Sequence, residues 1–285
     1  MAGASKPKAA AARLRELLAD KTRITGAGTS ASRLGAPDLG VATMNDMLDN
    51  ASMIASLNRT VPLIADADTG YGGPLMVART VQSYITAGIA GLHLEDQVVT
   101  KRCGHLAGKE LVDEHTYMSR IKAAVMARDE MRATTGGDIV IIARTDALQS
   151  LGYDAAVSRL KAAVDIGADV AFLEGPTSLD QCRQVCRDLG EVPVLLNMVP
   201  GGVTPALSVS QAQEMGFRIM IHPGLALAPV VEAVAGAYKE MKASGSVQVS
   251  DAQAKEGVKR LFNACGLQDC IKFDADAGGV AFKSV

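Results

Sequence analysis

The stretch "VPLIADAD", Val61 to Asp68, decides how this chain is read. Its apolar opening has the look of a buried strand, and its end places two carboxylates, Asp66 and Asp68, two positions apart. Side chains two apart on a strand share a face, so both acids point the same way at the strand's C-terminal end. The pattern recurs along the chain. "AGLHLED" (90–96) ends in His93 and Glu95, "DIVIIARTD" (138–146) in Arg144 and Asp146, and "VAFLEG" (170–175) in Glu174. "PVLLN" (193–197) ends in Asn197, and "FRIMIHP" (217–223) carries His222 near its end. These Ile, Val and Leu runs lack polar alternation, as expected of parallel strands covered on both faces.

Between the runs lie amphipathic segments such as "PLMVARTVQSYITAGIAG", "YDAAVSRLKAAVDIGAD" and "TSLDQCRQVCRDLG", with Gly just past each helix. Repeated βα units with right-handed crossovers either close as a barrel or open as a doubly wound sheet. Polar residues at nearly every strand end favour the barrel, because sites in a (β/α)8 barrel are built at that end. An open sheet gathers its polar residues at one switch point, and no G-x-G-x-x-G follows a strand here. The predicted fold is α/β, a (β/α)8 barrel of the TIM type. With a weak strand at "TRITGAG" (22–28) the count is seven strands, and the C-terminal stretch offers no eighth. There "SDAQAKEGVKRLFNACG" reads as helix and "DADAGGVAFKSV" as a tail. The chain is expected to form a single domain over 1–285, with an N-terminal helix at 1–20, a barrel core at 22–228 and a helical extension with tail at 229–285.

Composition narrows the function classes. A formal net charge of -2 argues against nucleic acid or an anionic membrane as partner. No apolar run approaches the roughly 20 residues that span a bilayer. The opening "MAGASKPKAAAARLRELLAD" shares basic and Ala-rich character with mitochondrial transit peptides, yet reads better as an amphipathic helix. Five cysteines, an odd number, without a secretory signal imply reduced thiols and a cytoplasmic setting.

Asp38, Asp66, Asp68 and Glu95 form the first chemical cluster. Carboxylates converging at one barrel mouth repel each other unless a cation sits among them. Oxygen ligands alone suit Mg²⁺ or Mn²⁺, and Mg²⁺ favours one direct carboxylate with others gripping its waters. The plainer reading is that these acids cap helices or pair with lysines. The second cluster is "KRCGH", Lys101 to His105, where Cys103 is flanked by Lys101, Arg102 and His105. Neighbouring cations raise thiolate character, so Cys103 is a candidate proton shuttle. Gly104 frees the backbone to turn sharply, and a loop of this length after a strand is often a lid. A solvated surface loop is the competing reading. Arg144 has the planar fork that suits a substrate carboxylate, or an ion pair with Glu174 or Asp68. Asn197 suits a carboxylate or a loop tie, Cys182 and Cys186 read as core or helix surface, and His222 as structural.

At this point "ADADTGYGG", "GLHLEDQ", "KRCGH", "ARTDA" and "TGAGTSASRLGAPDLG" together resemble the isocitrate lyase/phosphoenolpyruvate mutase superfamily, over about Ala9 to Gly245. "KRCGH" is similar to its carbon–carbon lyase branch, which includes 2-methylisocitrate lyase, dimethylmalate lyase and petal death protein. Many relatives carry the label carboxyvinyl-carboxyphosphonate phosphorylmutase. The resemblance implies a (β/α)8 barrel whose last helix is swapped between subunits of a homodimer or homotetramer. It implies Asp66 as direct Mg²⁺ ligand, with Asp38, Asp68 and Glu95 holding its waters. Thr25, Gly26 and Ala27 would grip the α-keto-acid end of the substrate through backbone N–H groups, and Arg144 a carboxylate. Cys103 would protonate the departing carbanion, with Gly104, His105, Glu174 and Asn197 completing the pocket. The activity implied is Mg²⁺-dependent cleavage of a 2-hydroxy-di- or tricarboxylate to pyruvate or glyoxylate plus a dicarboxylate. Phosphonomutase, oxaloacetate hydrolase and an inactive truncated subunit are the alternatives.

Two departures from the family pattern stand out. Family lyases carry a strand–helix–strand with a "PG-x-Y/F-D" loop before the Thr-Gly turn, whereas here "LADKTRI" joins "TGAG" directly and Arg23 replaces the usual Tyr. About one βα unit is therefore expected to be absent, leaving a sheet edge for another chain to cover. Oxaloacetate-hydrolysing members have Ser two residues past the Asn197 position; this chain has Val199, followed by Pro200 where relatives often have Glu. A methyl-bearing side chain cannot donate a hydrogen bond to a hydrated ketone, which ranks lyase above hydrolase.

Overall fold

The computed structural model describes Ala12, Leu14, the backbone of residues 22–23, residues 28–247 and residues 251–282, with side chains of the last segment from 257 onward. Two compact units divide the chain, Met1–Leu227 and Ala228–Val285.

The first unit is built on a parallel sheet. Its strands are β1 (Thr22–Arg23), β2 (Ile64–Asp66), β3 (Gly91–Glu95), β4 (Val140–Thr145), β5 (Val170–Leu173), β6 (Val194–Asn197) and β7 (Ile219–Ile221). Each falls on one of the seven runs named from the sequence. Strands β2 to β7 neighbour one another in chain order and β1 joins the far side of β7, every ladder being parallel. Among the described residues no ladder joins β1 to β2. This curled, all-parallel α/β sheet is consistent with a TIM-like barrel.

Helices alternate with the strands: α1 (Met44–Leu57), α2 (Pro74–Thr86), α3 (Glu114–Thr135), α4 (Tyr153–Ile166), α5 (Leu179–Leu189) and α6 (Val209–Glu214). Their starts are written locally. Thr43 and Asp46 form a reciprocal capping box on α1, Asp113 accepts from the Thr116 N–H on α3 at 2.8 Å, and Ser178 accepts from Gln181 on α5. Two tyrosines pin the helices to strand ends. Tyr84 on α2 donates to the Asp66 carbonyl at 2.8 Å, and Tyr117 on α3 donates to the Arg144 carbonyl at 2.7 Å.

The period-two alternation of the strands divides the apolar residues between two cores. Ala65, Leu92, Leu94, Ile141, Ala143, Ala171, Leu173 and Leu196 face the helices. Ile64, Val140, Ile142, Val170, Phe172, Leu195, Ile219 and Ile221 fill the inner face of the curl. Leu14 joins the inner core fully buried, close enough to Gly91 that a Cβ there would lie 2.9 Å from its Cδ2. Ala12 and Leu14 are helical; the rest of the expected 1–20 helix lies outside the described residues.

The second unit holds α7 (Leu227–Ser244), α8 (Asp251–Ala264) and α9 (Leu267–Asp276), with α8 interrupted at Gly257. Helix α9 runs into "DADAGGVAFKSV", which the sequence reads as tail, because nothing breaks the helix before Gly278 turns left-handed at φ 87°. Among the described residues no helix is long and apolar enough to cross a membrane.

Phe172 is fully buried at the centre of the inner core. Phe172→Ala is expected to cost about 3–5 kcal/mol, as cavity-forming aromatic truncations do, read as a lowered denaturation midpoint at unchanged m value.

Candidate active site

The alternation that packs the inner core also builds the site. Ile64, Val140, Phe172 and Leu195 face inward, so Asp66, Arg144, Glu174 and Asn197, an even number of residues further on, do the same at the C-terminal ends. His93 and Glu95 follow Gly91 in the same phase. Strand register then pairs them: Asp66 opposite His93, Glu95 opposite Arg144, and Arg144 opposite Phe172. Asp66 Oδ1 lies 3.2 Å from His93 Nδ1, Arg144 Nη1 lies 3.1 Å from Glu95 Oε2, and the guanidinium sits 5.2 Å from the Phe172 ring centroid. Asp66, His93, Arg144 and Phe172 line a cavity of about 300 Å³, together with Asp38, Cys103, Gly104, His105, Glu174, Asn197 and Val199. Thr25, Gly26 and Ala27, named from the resemblance, lie outside the described residues.

After β2 the chain turns through Asp68, a non-glycine residue with φ 44°, whose N–H donates to Asp66 Oδ1 at 2.8 Å. That turn places Asp68 beside the lysine of the next loop. Lys101 Nζ lies 2.6 Å from both Asp38 Oδ1 and Asp68 Oδ1. Burial pushes Asp66 above the ordinary carboxylate range, against the pull of Lys101 and Arg144. Burial and the neighbouring Asp66 charge raise Asp68 to about 6. Burial also lifts Glu95 well above its usual value. His93 is driven down to about 3 by burial and by Arg144, so it is neutral.

The donor set suits a hard divalent cation. Six carboxylates (Asp38, Asp66, Asp68, Glu95, Asp146 and Glu174) face three cations (Lys101, Lys109 and Arg144). Without further positive charge, proton uptake by the buried acids is the remaining way to relieve the repulsion. Glu95 Oε2 is buried with no hydrogen-bond partner, Arg144 being near it only at ion-pair distance. Among the described residues no three His, Cys, Asp or Glu side chains converge closely enough to ligate one ion together. Hard oxygen donors are the kind that Mg²⁺ prefers, and Mg²⁺ usually keeps several waters in its shell.

The loop of residues 98–110 lies across the cavity. Its base is an antiparallel bridge between Gln97 and Leu111, and Gln97 Nε2 donates to Glu95 Oε1 and to the Arg102 carbonyl, both at 2.9 Å. The Cys103 N–H donates to the Asp38 carbonyl at 3.1 Å. Gly104 packs directly on the site: a Cβ there would lie 2.6 Å from Glu174 Cγ. His105 Nε2 is 3.3 Å from Glu174 Oε1 and 3.4 Å from Asn197 Nδ2. Asn197 in turn donates to Glu174 Oε2 at 3.1 Å.

The surroundings of Cys103 differ from the sequence expectation. Lys101 turns to the two aspartates, and Arg102 donates to the Ala107 carbonyl at 3.3 Å. Burial pushes the Cys103 thiol above its ordinary value, against the His105 N–H. The shift favours the thiol over the thiolate, the reverse of the sequence expectation. Arg144 pairs with Glu95, Asp146 and Glu174; Asp68 is left to Lys101. Gln97 and Asp146 stand inside motifs quoted from the sequence and Lys109 lies four residues past His105, yet none was named as a site residue there, and Lys101 was named only as a neighbour of Cys103. The buried Cys182 and Cys186 take no part.

The raised carboxylates carry a pH signature. A folded-state value above the unfolded one gives stability that is complete below the unfolded value of about 4 and is lost as pH rises through the folded value, which for Asp68 is about 6. In EDTA the melting temperature should therefore fall between about pH 4 and pH 7, and Asp68→Asn should flatten that fall. Added Mg²⁺ should raise the melting temperature more at the higher pH, where the acids are charged. Scanning calorimetry measures each trend.

The phosphoenolpyruvate phosphomutase family profile matches residues 8–242. The chain is 39% identical to 2,3-dimethylmalate lyase of Eubacterium barkeri over 223 residues, 78% of this chain and 74% of the relative. It is 39% identical to 2-methylisocitrate lyase of Escherichia coli K12 over 224 residues, 78% and 73% of the two chains. Its fold superimposes on oxaloacetate acetylhydrolase bound to 3,3-difluorooxalacetate with TM-score 0.89 and 46% identity, covering 97% and 99% of the two chains. On crystalline 2,3-dimethylmalate lyase the TM-score is 0.85 with 51% identity, over 96% and 90%. A phosphonopyruvate hydrolase in complex with oxalate and Mg²⁺ matches at TM-score 0.73 and 27% identity, over 94% and 91%. A parallel α/β sheet whose strand ends present this acid cluster under a Cys-bearing loop, matched over most of its length by these enzymes, belongs to the phosphoenolpyruvate mutase/isocitrate lyase superfamily.

Proposed function

We propose that this enzyme is a Mg²⁺-dependent carbon–carbon lyase that cleaves a 2-hydroxy-di- or tricarboxylate of the 2-methylisocitrate or 2,3-dimethylmalate kind. Its products would be pyruvate or glyoxylate and a dicarboxylate. The observation that carries this reading is Cys103, a thiol kept protonated by burial, lining the same cavity as Asp66 and Arg144. In this reading Asp66 is the direct ligand of the cation, and Asp38, Asp68 and Glu95 hold its waters. When bound, Mg²⁺ supplies Lewis acidity at the substrate hydroxyl and the carboxylate beside it.

The chain's own groups do the rest. Arg144, held well above its ordinary value by the Asp146, Glu95 and Glu174 carboxylates despite burial, binds a substrate carboxylate as a permanent cation. Backbone N–H groups of Thr25, Gly26 and Ala27 hold the keto-acid end. As the carbon–carbon bond breaks, the substrate hydroxyl gives its proton to one of the site carboxylates and becomes the carbonyl; Cys103 gives its own proton to the carbon that leaves with the bonding electron pair, and the closed loop keeps water from doing so first. His105, Glu174 and Asn197 orient the loop over that carbon.

Oxaloacetate hydrolysis is the second reading, favoured by the 46% identity to oxaloacetate acetylhydrolase. Val199 lines the cavity, and its lack of a hydroxyl speaks for the lyase. Finer architecture follows the same family logic: a TIM-type barrel short of one N-terminal βα unit, with C-terminal helices exchanged in a homo-oligomer. Exposed apolar side chains on α7 to α9, among them Val231, Tyr238, Leu261 and Phe273, support exchange.

Incubation with 2-methylisocitrate, 2,3-dimethylmalate, oxaloacetate and phosphonopyruvate should give turnover of one of the first two, abolished by EDTA and restored by Mg²⁺. Cys103→Ser should lower kcat by about two orders of magnitude or more, the scale of general acid catalysis. Turnover of oxaloacetate or phosphonopyruvate alone would reassign the reaction, and an unaffected Cys103→Ser variant would remove the assigned acid. Light scattering coupled to size exclusion should give a dimer or tetramer; a monomer ends the exchanged-helix reading.

A further inference from the structure

The loop over the cavity is tied down by a residue with no part in the chemistry above. Lys109 buries its ammonium at the C-terminal side of the loop, its side chain 3% exposed and that of its partner Asp146 0%. Nζ donates to the Gly104 carbonyl at 2.7 Å and to Asp146 Oδ1 at 2.9 Å. Asp146 also clamps the site arginine, accepting from Arg144 Nε at 2.9 Å through Oδ2 and from Nη2 at 3.2 Å through Oδ1. Its position is set by the chain, because its own N–H donates to Asp96 Oδ1 at 2.8 Å. One ammonium thus joins the backbone between Cys103 and His105 to the carboxylate that orients Arg144. Burying a lysine is costly unless its donors are met, and two of these are met by groups from separate parts of the chain, the loop backbone at Gly104 and the carboxylate just past β4.

We infer that Lys109 is a positioning residue for loop closure: through the Gly104 carbonyl and Asp146 it seats the Cys103–His105 turn over the cavity and sets Arg144 in the same movement. This rests on the reading of Cys103 as the acid on a closing loop. Charge balance alone would not call for the Gly104 contact. Asp146 already has the Arg144 guanidinium, and burial, which raises Asp146, is outweighed by Arg144 and Lys109 so that the carboxyl stays below its ordinary value.

The test is the rate at which iodoacetamide alkylates each cysteine of the full chain, followed by peptide mass spectrometry. Lys109→Met should speed alkylation of Cys103 about tenfold, the scale of one lost charge-assisted hydrogen bond. Cys182 and Cys186, buried on α5, should keep their rates. Lys109→Arg, which retains charge and donors, should restore most of the protection. Asp146→Asn, which keeps the acceptor's shape without its charge, should also expose Cys103 and serves if Lys109→Met does not fold. An unchanged Cys103 rate overturns the inference, and so does a parallel rise at Cys182 and Cys186, which would report loosening of the whole fold. If Cys103 is released selectively while Cys103→Ser turns over substrate at the wild-type rate, Lys109 keeps its role and the lyase reading falls instead.

Discussion

Acids buried at one end of a parallel sheet repel each other, and the rest of this structure is arranged around that repulsion. Asp66, Asp68 and Glu95 lie at or just past the ends of the paired strands β2 and β3, where burial penalises their charged forms. Lys101 answers two carboxylates at once, and Arg144 answers three. What remains uncompensated is negative, and this excess is what supports the proposal that a divalent cation binds there. A binding site of this kind is a region where the fold tolerates electrostatic cost because a ligand relieves it.

The lower half of the same sheet carries the opposite chemistry. Val140, Ile142, Val170, Phe172 and Leu195 form a dry inner core, and the polar layer begins one alternation higher. Phe172 sits at the boundary, its face toward the Arg144 guanidinium and its ring perpendicular to that of His93, 5.8 Å between centroids. The apolar floor lowers the local dielectric, so every charge above it interacts more strongly than it would in water. The outer helices matter to the site through Tyr84 and Tyr117, which fix the carbonyls at the ends of β2 and β4.

The loop over the cavity belongs to the same electrostatic scheme. Residues 98–110 carry two lysines, one on each side of Cys103. Each ends on a carboxylate that belongs to the sheet end, Lys101 on Asp68 and Lys109 on Asp146. The loop therefore sets positive charge against an acidic mouth and holds the Cys103 thiol beside it. Buried there among carboxylates, the thiol holds its proton.

Local pattern sufficed for much of this. Period-two alternation ending in polar residues made the strands, their parallel pairing and the inward Asp66, His93, Glu95, Arg144, Glu174 and Asn197 readable from the chain, because a strand's facing is a property of its own backbone. The capping residues Thr43, Asp113 and Ser178 were local in the same sense. The partners of the cations were not. Lys101 and Arg102 adjoin Cys103 in sequence and were read as its neighbours, yet one turns to Asp38 and Asp68 and the other to Ala107. Lys109 meets Asp146 across 37 positions of sequence, a contact that needs the strand order and the loop's path together. Sequence by itself determined which groups stand at the sheet end. Only the tertiary structure decided which charge answers which, because ion pairing depends on distance in space and a flexible side chain several bonds long reaches many partners that the chain order does not rank.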